Sequence, residues 1–365
     1  MTDIVDFSRS IPPLPALVQP RLRRTLTELA QRPDLGLLAR VATINGSNVD
    51  REAGGRWLAP RFGCAIEPGR ISVTSGTQSA LFVLLETLVG QNGVLLSESL
   101  SYGVLSVVAK RAHVRMKGLA TDDEGIIPSA FEESCRTRGP CALYCNPTDQ
   151  NPTTAIMPEA RRLEVAAIAR RYGVPIIEDD PLGRLHPGAP RPIAAFAPDV
   201  TWYVMGLTKC LAHGMRMAYM VGPSADDLQR ITAPWAKLSY WSPQPLAAAV
   251  TTSWINDGTA DAICTAIIEE SVERQKLAAR LLVGADIVAK PTGLHLWLRL
   301  PRDIDRSMLA EALKQDGVLV RPSDLFAVDD APPPNAVRLS LSSPLHRNDV
   351  ERGLAIVKAA LNRPA

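Results

Sequence analysis

The sequence predicts an α/β protein built on a mostly parallel sheet, with a smaller α+β part. Three observations carry that prediction. From about residue 71 to 222, short strand-like runs alternate with helical ones, and alternation at this spacing means crossover connections. Glycines stand where helical patterns stop, at Gly63, Gly90 and Gly173. Hydrophobic residues make up 46% of 365 residues and charged ones 21%, which suffices for a large core and argues against disorder.

The elements follow in order. Residues 1–20 are Pro-rich and read as extended. Residues 21–32 read as a short amphipathic helix, and 50–63 as another, ended by Gly63. ISVTSG is a strand running into glycine, and TQSALFVLLETLVG is a helix that stops at Gly90. VLLSES, SYGVLSVVAKRA and HVRMKGLA read as strand, helix and strand. PSAFEESCRTR is a helix and CALYCNP a strand. PEARRLEVAAIARRYG is an amphipathic helix with Gly173 just beyond it. VPIIEDD is a buried strand ending in acid, and TWYVMGLT and MAYMVGP are further strands. Helices dominate from about 222 through 284. LHLWLRL, SMLAEALKQDG, VLVRPS, AVRLSLS and NDVERGLAIVKAAL then read as strand, helix, strand, strand and helix. RPSDLFAVDDAPPPN reads as a loop, because Pro332, Pro333 and Pro334 preclude regular structure. The predicted division is a large domain over 45–265 and a small one made of 1–44 and 266–365.

Composition excludes several classes. Lys plus Arg is 40 and Asp plus Glu 38, so a formal net charge of +2 gives no bulk drive toward nucleic acid or anionic membrane. No apolar run reaches the roughly 18 residues of a membrane span. The N-terminus lacks a signal pattern, so a soluble, cytoplasmic protein is expected. The six cysteines form no C-x-x-C pair and the five histidines no H-x-x-x-H pattern, so buried thiols are expected and no metal site.

Four constellations carry chemistry. Thr74-Ser75-Gly76-Thr77-Gln78-Ser79-Ala80-Leu81 sits between a strand and a helix. Free N–H groups and hydroxyls there suit phosphate; taken alone, the run also fits an ordinary helix cap. Glu178-Asp179-Asp180 closes a strand, where open α/β sheets bind ligands; the alternative is a solvated turn. Gly206-Leu207-Thr208-Lys209, followed by Gly214-Met215-Arg216, ends another strand. Lys209 is either a desolvated amine nucleophile or a snorkelling surface lysine. Asn151-Pro152-Thr153 follows a strand and is at least a turn. Trp235, Tyr240 and Trp241 either line a side-chain pocket or pack together.

Phosphate cradle, carboxylate and lysine, each at a strand end and in this order, give a combined signal. On these motifs the whole chain resembles the fold-type I pyridoxal-phosphate enzymes of the class I/II aminotransferases. It is similar to the kynurenine/2-aminoadipate group and, equally, to the aminotransferase-like domain of the MocR regulators. The resemblance implies pyridoxal 5'-phosphate as cofactor and Lys209 as the Schiff-base lysine, in Thr208-Lys209-Cys210-Leu211-Ala212-His213-Gly214-Met215-Arg216. It makes Arg216 the phosphate arginine and Gly76, Thr77 and Gln78 the phosphate-cradling turn. Tyr102 would stack on the pyridine ring, Asn151 bond its phenolic oxygen, and Asp179 pair with its nitrogen. Arg338, in Val337-Arg338-Leu339-Ser340, would clamp a substrate α-carboxylate.

Five positions depart from the family pattern. Leu182 stands for a tyrosine, Gly206 for a serine, His213 for a proline, Thr154 for a glycine and Leu100 for a proline. Loss of the serine is expected to weaken phosphate binding by about 1 kcal/mol. His213 is read as structural or solvent-facing. The resemblance implies an aminotransferase acting on an α-amino acid and a 2-oxo acid, a homodimer with its active site at the interface. Elimination, decarboxylation or oxidation on the same cofactor is one alternative. A stand-alone MocR-like ligand sensor is another; with the resemblance starting within the first ten residues, no DNA-binding module is expected.

Overall fold

A computed structural model describes residues 4–40, 43–138, 142–238, 241–329 and 332–363. Its centre is a seven-stranded sheet. The spatial order is Ile71–Thr74, Ala218–Val221, Thr201–Gly206, Ile176–Asp179, Ala142–Cys145, Val94–Glu98, Arg115–Leu119. Ala218–Val221 runs antiparallel to both of its neighbours, and the other pairings are parallel. The central strands are buried throughout, as expected when helices cover both faces of a parallel sheet. Apolar clusters lie on the two faces. Trp57, Leu58, Phe62, Tyr203 and Trp254 belong to one, and Leu81, Leu84, Leu105 and Tyr144 to another.

A four-stranded antiparallel sheet stands beside this layer, in the order Asp286–Ala289, Leu296–Arg299, Ala336–Leu339, Arg321–Pro322. It has its own core around Phe7, Leu296, Leu298, Leu313, Leu339 and Leu354. The helix Thr259–Leu281 runs through residues 265 and 266 without a break. The N-terminal segment divides its contacts. Val5–Asp6 pairs in parallel with Val318–Leu319, whereas the helix Val18–Ala30 packs on Pro245–Asn256, with Trp254 Nε1 donating to Thr25 Oγ1 at 2.9 Å.

Several elements differ in detail from the sequence expectation. The helix over 77–90 is α-helical across Thr77–Leu84 and widens to a π turn over Leu85–Val89, closed by Gly90 at φ 69°. The run VLVRPS splits in two, because its halves pair with different strands. Asp286–Ala289 was not foreseen; its half-exposed edge position removes the apolar alternation that marks a strand. The proline loop contains a 3-10 turn, Ser323–Phe326. Trp241 is buried with its indole N–H donating to the Trp235 carbonyl, and Trp235 meets Phe82 edge to face at 5.6 Å. That pair is packing rather than pocket lining, and Tyr240 lies outside the described residues. The five described cysteines are free, and Cys141 lies outside the described residues.

Candidate active site

A cavity of about 410 Å³ opens where the carboxyl ends of the central strands face the four-stranded sheet. A groove of about 590 Å³ between Val18–Ala30, Asn48–Phe62 and Pro245–Asn256 is larger, but no lysine or histidine lines it. The smaller cavity is where the chemistry converges. Gly76, Thr77, Gln78, Tyr102, Asn151, Asp179, Thr208, Lys209, Arg216 and Arg338 all line it.

At one end lies the N-terminus of the helix Thr77–Leu84, with Gly76 before it at φ 102°. A Cβ at Gly76 would sit 3.4 Å from the Arg216 carbonyl in a conformation L side chains avoid, so glycine is required. Free N–H groups of a first helical turn carry partial positive charge and accept an anion. Arg216 sits opposite, in the left-handed region at φ 46°, and makes no side-chain hydrogen bond among the described residues. Gln78 Nε2 donates to the Tyr102 hydroxyl at 3.3 Å.

Strand periodicity sorts the three acids. Side chains alternate between faces, so Asp179 points into the cavity while Glu178 and Asp180 point beneath the sheet. Asp180 Oδ2 accepts from Arg61 Nε at 2.8 Å and from the Tyr203 hydroxyl at 2.9 Å. Glu178 accepts from the Ile193 and Ala194 N–H groups, both at 2.9 Å, and Arg162 stands 3.6 Å away. Asp179 Oδ2 accepts from the Tyr144 hydroxyl at 2.8 Å, while its buried Oδ1 has no partner. Burial, with Asp180 adding to it, raises Asp179 to about 7, against the opposing Tyr144 bond. A buried carboxylate oxygen without a partner fits a cationic ring N–H.

Lys209 follows the strand Thr201–Gly206. Its Nζ donates to the Ser10 carbonyl, which ties the N-terminal segment over the cavity. Burial lowers Lys209 to about 8; Arg338 and Arg9 push the same way and Asp179 opposes them.

Arg338 closes the far end. Its Nη1 donates to Asn151 Oδ1 and its Nη2 to the Ser8 carbonyl, both at 2.7 Å, and it lies over the Phe326 ring at 5.1 Å. Its buried Nε has no partner. Asn151 precedes a cis proline, and Asn146 Oδ1 accepts its backbone N–H at 2.9 Å.

The departures now have surroundings. Leu182 is buried against the cavity and supplies no donor. A side chain at Gly206 would collide with Thr77 Oγ1, so Thr77 occupies the space a residue larger than glycine would need there. His213 is half-exposed and lines the cavity, with Nδ1 buried and without a partner. Thr154 occupies the left-handed region at φ 64°, where glycine fits and a β-branched residue is strained.

Sequence reasoning missed other lining residues: the segment Ser8, Arg9, Ser10, Ile11, and Asn146, His295, Arg321 and Phe326. Their segments lie far apart in the chain, and no local spacing signals them. At the end of the run CALYCNP, Asn146 Nδ2 donates to the Asp179 carbonyl at 2.6 Å and its N–H to Glu98 Oε1 at 2.8 Å.

The fold is that of the fold-type I pyridoxal-phosphate aminotransferases. It overlays on the Pyrococcus horikoshii kynurenine aminotransferase with a TM-score of 0.87 at 22% identity, covering 99% of this chain and 91% of that one. An archaeal alanine:glyoxylate aminotransferase gives a TM-score of 0.87 at 21% identity, covering 98% and 90%. The chain belongs to the aminotransferase class I and II family, whose profile matches residues 2–357. It is 28% identical over 297 residues to the mitochondrial kynurenine/alpha-aminoadipate aminotransferase of Rattus norvegicus, covering 74% of this chain and 69% of that protein. It is 27% identical over 308 residues to the uncharacterized HTH-type transcriptional regulator YdeF of Bacillus subtilis (strain 168), covering 84% of this chain. The chain spans 66% of YdeF and 60% of a second such regulator, YisV. Among the described residues no helix is long and apolar enough to cross a membrane.

Proposed function

We propose that this protein is a pyridoxal-phosphate-dependent aminotransferase that moves an amino group between an α-amino acid and a 2-oxo acid. The observation that carries the reading is a single cavity holding Lys209, the partnerless oxygen of Asp179, the free guanidinium of Arg216 and the half-engaged Arg338.

Pyridoxal phosphate, when bound, supplies a carbonyl for an amine and a ring that draws electrons from the substrate α-carbon. The residues present fit it. The helix N-terminus at Thr77 and Arg216 would hold its phosphate. Asp179 would keep a proton on the ring nitrogen, Tyr102 would cover the ring face, and Asn151 would reach the phenolic oxygen. Lys209, desolvated to about 8, is basic enough to take a proton from the α-carbon and neutral often enough to attack a carbonyl. Arg338 would orient the substrate by its carboxylate through paired N–H bonds, a fork that lysine lacks. Phe326 and Leu182, both buried against the cavity, would keep water from the reacting centre.

We assign the active unit to a homodimer and to the cytoplasm, with the domain division given above; gel filtration returning only monomer contradicts the first. A second reading follows from the HTH-type relatives: the same site senses an amino acid or the cofactor without turning it over.

The test is the visible spectrum of the protein loaded with pyridoxal phosphate, followed as each amino acid is added. An aminotransferase forms a Lys209-dependent band that a particular amino acid bleaches, with stoichiometric 2-oxo acid. A band that no amino acid changes favours the sensor. A bleached band without 2-oxo acid favours elimination, decarboxylation or oxidation. A Lys209→Ala protein showing the same band overturns the cofactor assignment.

A further inference from the structure

One buried titratable group of the cavity has no task in the proposed function. His295 lines the cavity, only 1% exposed, and its Nε2 is buried with no partner among the described residues. It stands one residue before the strand Leu296–Arg299, in which Trp297 pairs with Arg338. Cross-strand partners present their side chains to one face, and residues two apart on a strand share a face. His295 therefore flanks Arg338 on the face that both turn to the cavity.

The far side of the ring is anchored. The Gln150 backbone bonds to it in the sense that favours protonation, so a ring N–H donates there. Nε2 has no partner, which makes the donor Nδ1. Neutral His295 thus turns a bare Nε2 lone pair to the cavity. Asp149 lies behind it, wholly buried. Its Oδ2 meets His186 Nε2 at 3.0 Å, and His186 Nδ1 meets Thr292 Oγ1 at 2.9 Å. Asp149 Oδ1 has no partner. A Cβ on Gly293 would stand 3.3 Å from Asp149 Oδ2, so the loop leading to His295 is closed down on this carboxylate. Burial pushes Asp149 up, but His295, His186 and Lys290 outweigh it and hold the carboxyl below its ordinary range. A buried anion of this kind needs positive charge beside it.

The charges around His295 pull in two directions. Burial brings the ring down to about 4, against Asp149 and the Gln150 carbonyl, and Arg338 and His186 push the same way as burial. Before a carboxylate binds, the ring is neutral at ordinary pH. A carboxylate on Arg338 reverses the balance, because it offsets the Arg338 charge and offers Nε2 an acceptor.

We propose that His295 is a second holder of the carboxylate that Arg338 binds, taking up a proton from solvent as the carboxylate arrives, so that Nε2–H donates to it while Asp149 balances the imidazolium. The inference rests on the proposed function, which gives Arg338 to the substrate carboxylate. No substrate bond breaks in this step; one proton moves from solvent to Nε2. Arg338 brings a fixed charge and His295 one that exists only with the carboxylate in place, so affinity for carboxylates falls as pH rises.

The test uses protein loaded with pyridoxal phosphate and binds pentanoate, which cannot react, against pentanamide. Calorimetry in buffers of different ionisation heat counts the protons taken up, and the cofactor's visible band, recorded alongside, reports any taken up at the cofactor. Nitrogen-15 resonances of the five histidines, with His295 identified by His295→Gln, show whether Nε2 gains a proton. Wild type should take up about one proton per pentanoate beyond what the band reports, and none with pentanamide. His295→Gln should take up none beyond the band and bind pentanoate about 10–100-fold more weakly near pH 6. Asp149→Asn keeps the imidazole, removes the anion behind it and should lose most of the uptake, which tests the proposal even where His295→Gln does not fold. A His295 that stays neutral with pentanoate bound, uptake unchanged in both variants, or no pentanoate binding overturns the proposal, and transamination stands if amino acids still bleach the band. Uptake at His295 that persists in Arg338→Gln sinks the assignment of Arg338 on which the proposed function rests and leaves His295 as the carboxylate's holder.

Discussion

The two walls of the cavity are built differently. The wall carrying Gly76, Asp179, Lys209 and Arg216 hangs from ends of adjacent strands in one sheet, each fixed within a few residues of a buried strand. The opposite wall takes Ser8, Asn151, Arg321, Phe326 and Arg338 from segments hundreds of residues apart, joined by contacts such as Arg338 to the Ser8 carbonyl. The first wall is held from below by a buried ionic layer, Arg61–Asp180 and Arg162–Glu178. The second is held by hydrogen bonds to backbone across the gap. A wall of the first kind suits a resident group bound once. A wall of the second kind can yield as small molecules come and go.

The largest expected effect breaks the first wall from beneath. Arg61→Ala leaves Asp180 charged and buried, with only Tyr203 as partner, and should cost about 3–5 kcal/mol of stability. Denaturant midpoints measure it; a loss under about 1 kcal/mol would mean the layer is not what holds this wall.

Asp179→Asn separates cofactor binding from folding. Turnover should drop about 10²–10³-fold, because the ring nitrogen loses its anion. The cofactor-free protein should respond in the opposite sense. Asp179 is raised to about 7 from an ordinary 3.8, so its stability contribution is full below about 4 and is lost as pH rises through about 7. Asn does not titrate. Cofactor-free Asp179→Asn should therefore gain on wild type between pH 5 and 8, by about 1–3 kcal/mol at the upper end. Melting temperatures across that window check the sign.

Lys209, carried on the first wall and roofed by Ser10, gives a kinetic prediction. Only the neutral amine attacks a carbonyl, and burial has brought its pKa to about 8. Capture of pyridoxal phosphate by the cofactor-free protein should rise with pH and level off above about 8. A rise continuing toward 10.5, the ordinary lysine value, would show that the amine is solvated.

Two smaller changes sharpen the contrast. Leu182→Tyr adds a donor on the first wall and should lower the pH at which the bound cofactor's visible band titrates, since the phenolate oxygen gains a partner. A band that does not move points to another donor at that oxygen. Thr154→Gly on the second wall relieves a β-branched residue at φ 64°. It should stabilise by up to about 1 kcal/mol, offset in part by the flexibility glycine adds to the unfolded chain.

Much of the first wall was legible in the sequence for the same reason that it is rigid. Phosphate turn, acid and lysine each follow a short apolar run that reads as a buried strand, so position along the chain nearly equals position in space. What the run Glu178-Asp179-Asp180 left open was which acid faces the ligand; the resemblance pointed to Asp179, and alternation along the strand gives the physical reason. The cations that compensate its neighbours, Arg61 and Arg162, carry no local mark, because each sits in a helix whose pattern is satisfied by an arginine facing either way. The glycine at 206 reads along the chain as a lost serine, and only in space does it appear that Thr77, from another strand's end, lies where a side chain at 206 would go.

Periodicity and motifs within about ten residues mark most of the strands and helices, the residues that end the central strands, and the family resemblance. Packing across the fold built the opposite wall: there Arg338 meets Asn151 and Ser8, Lys209 is roofed by Ser10, and Arg321 stands opposite Arg338. Those contacts join residues up to 330 positions apart. The run 318–322 contributes to this wall by pairing through Val318–Leu319 with the N-terminal strand and through Arg321–Pro322 with the strand of Arg338, pairings between distant segments that no pattern along the chain marks.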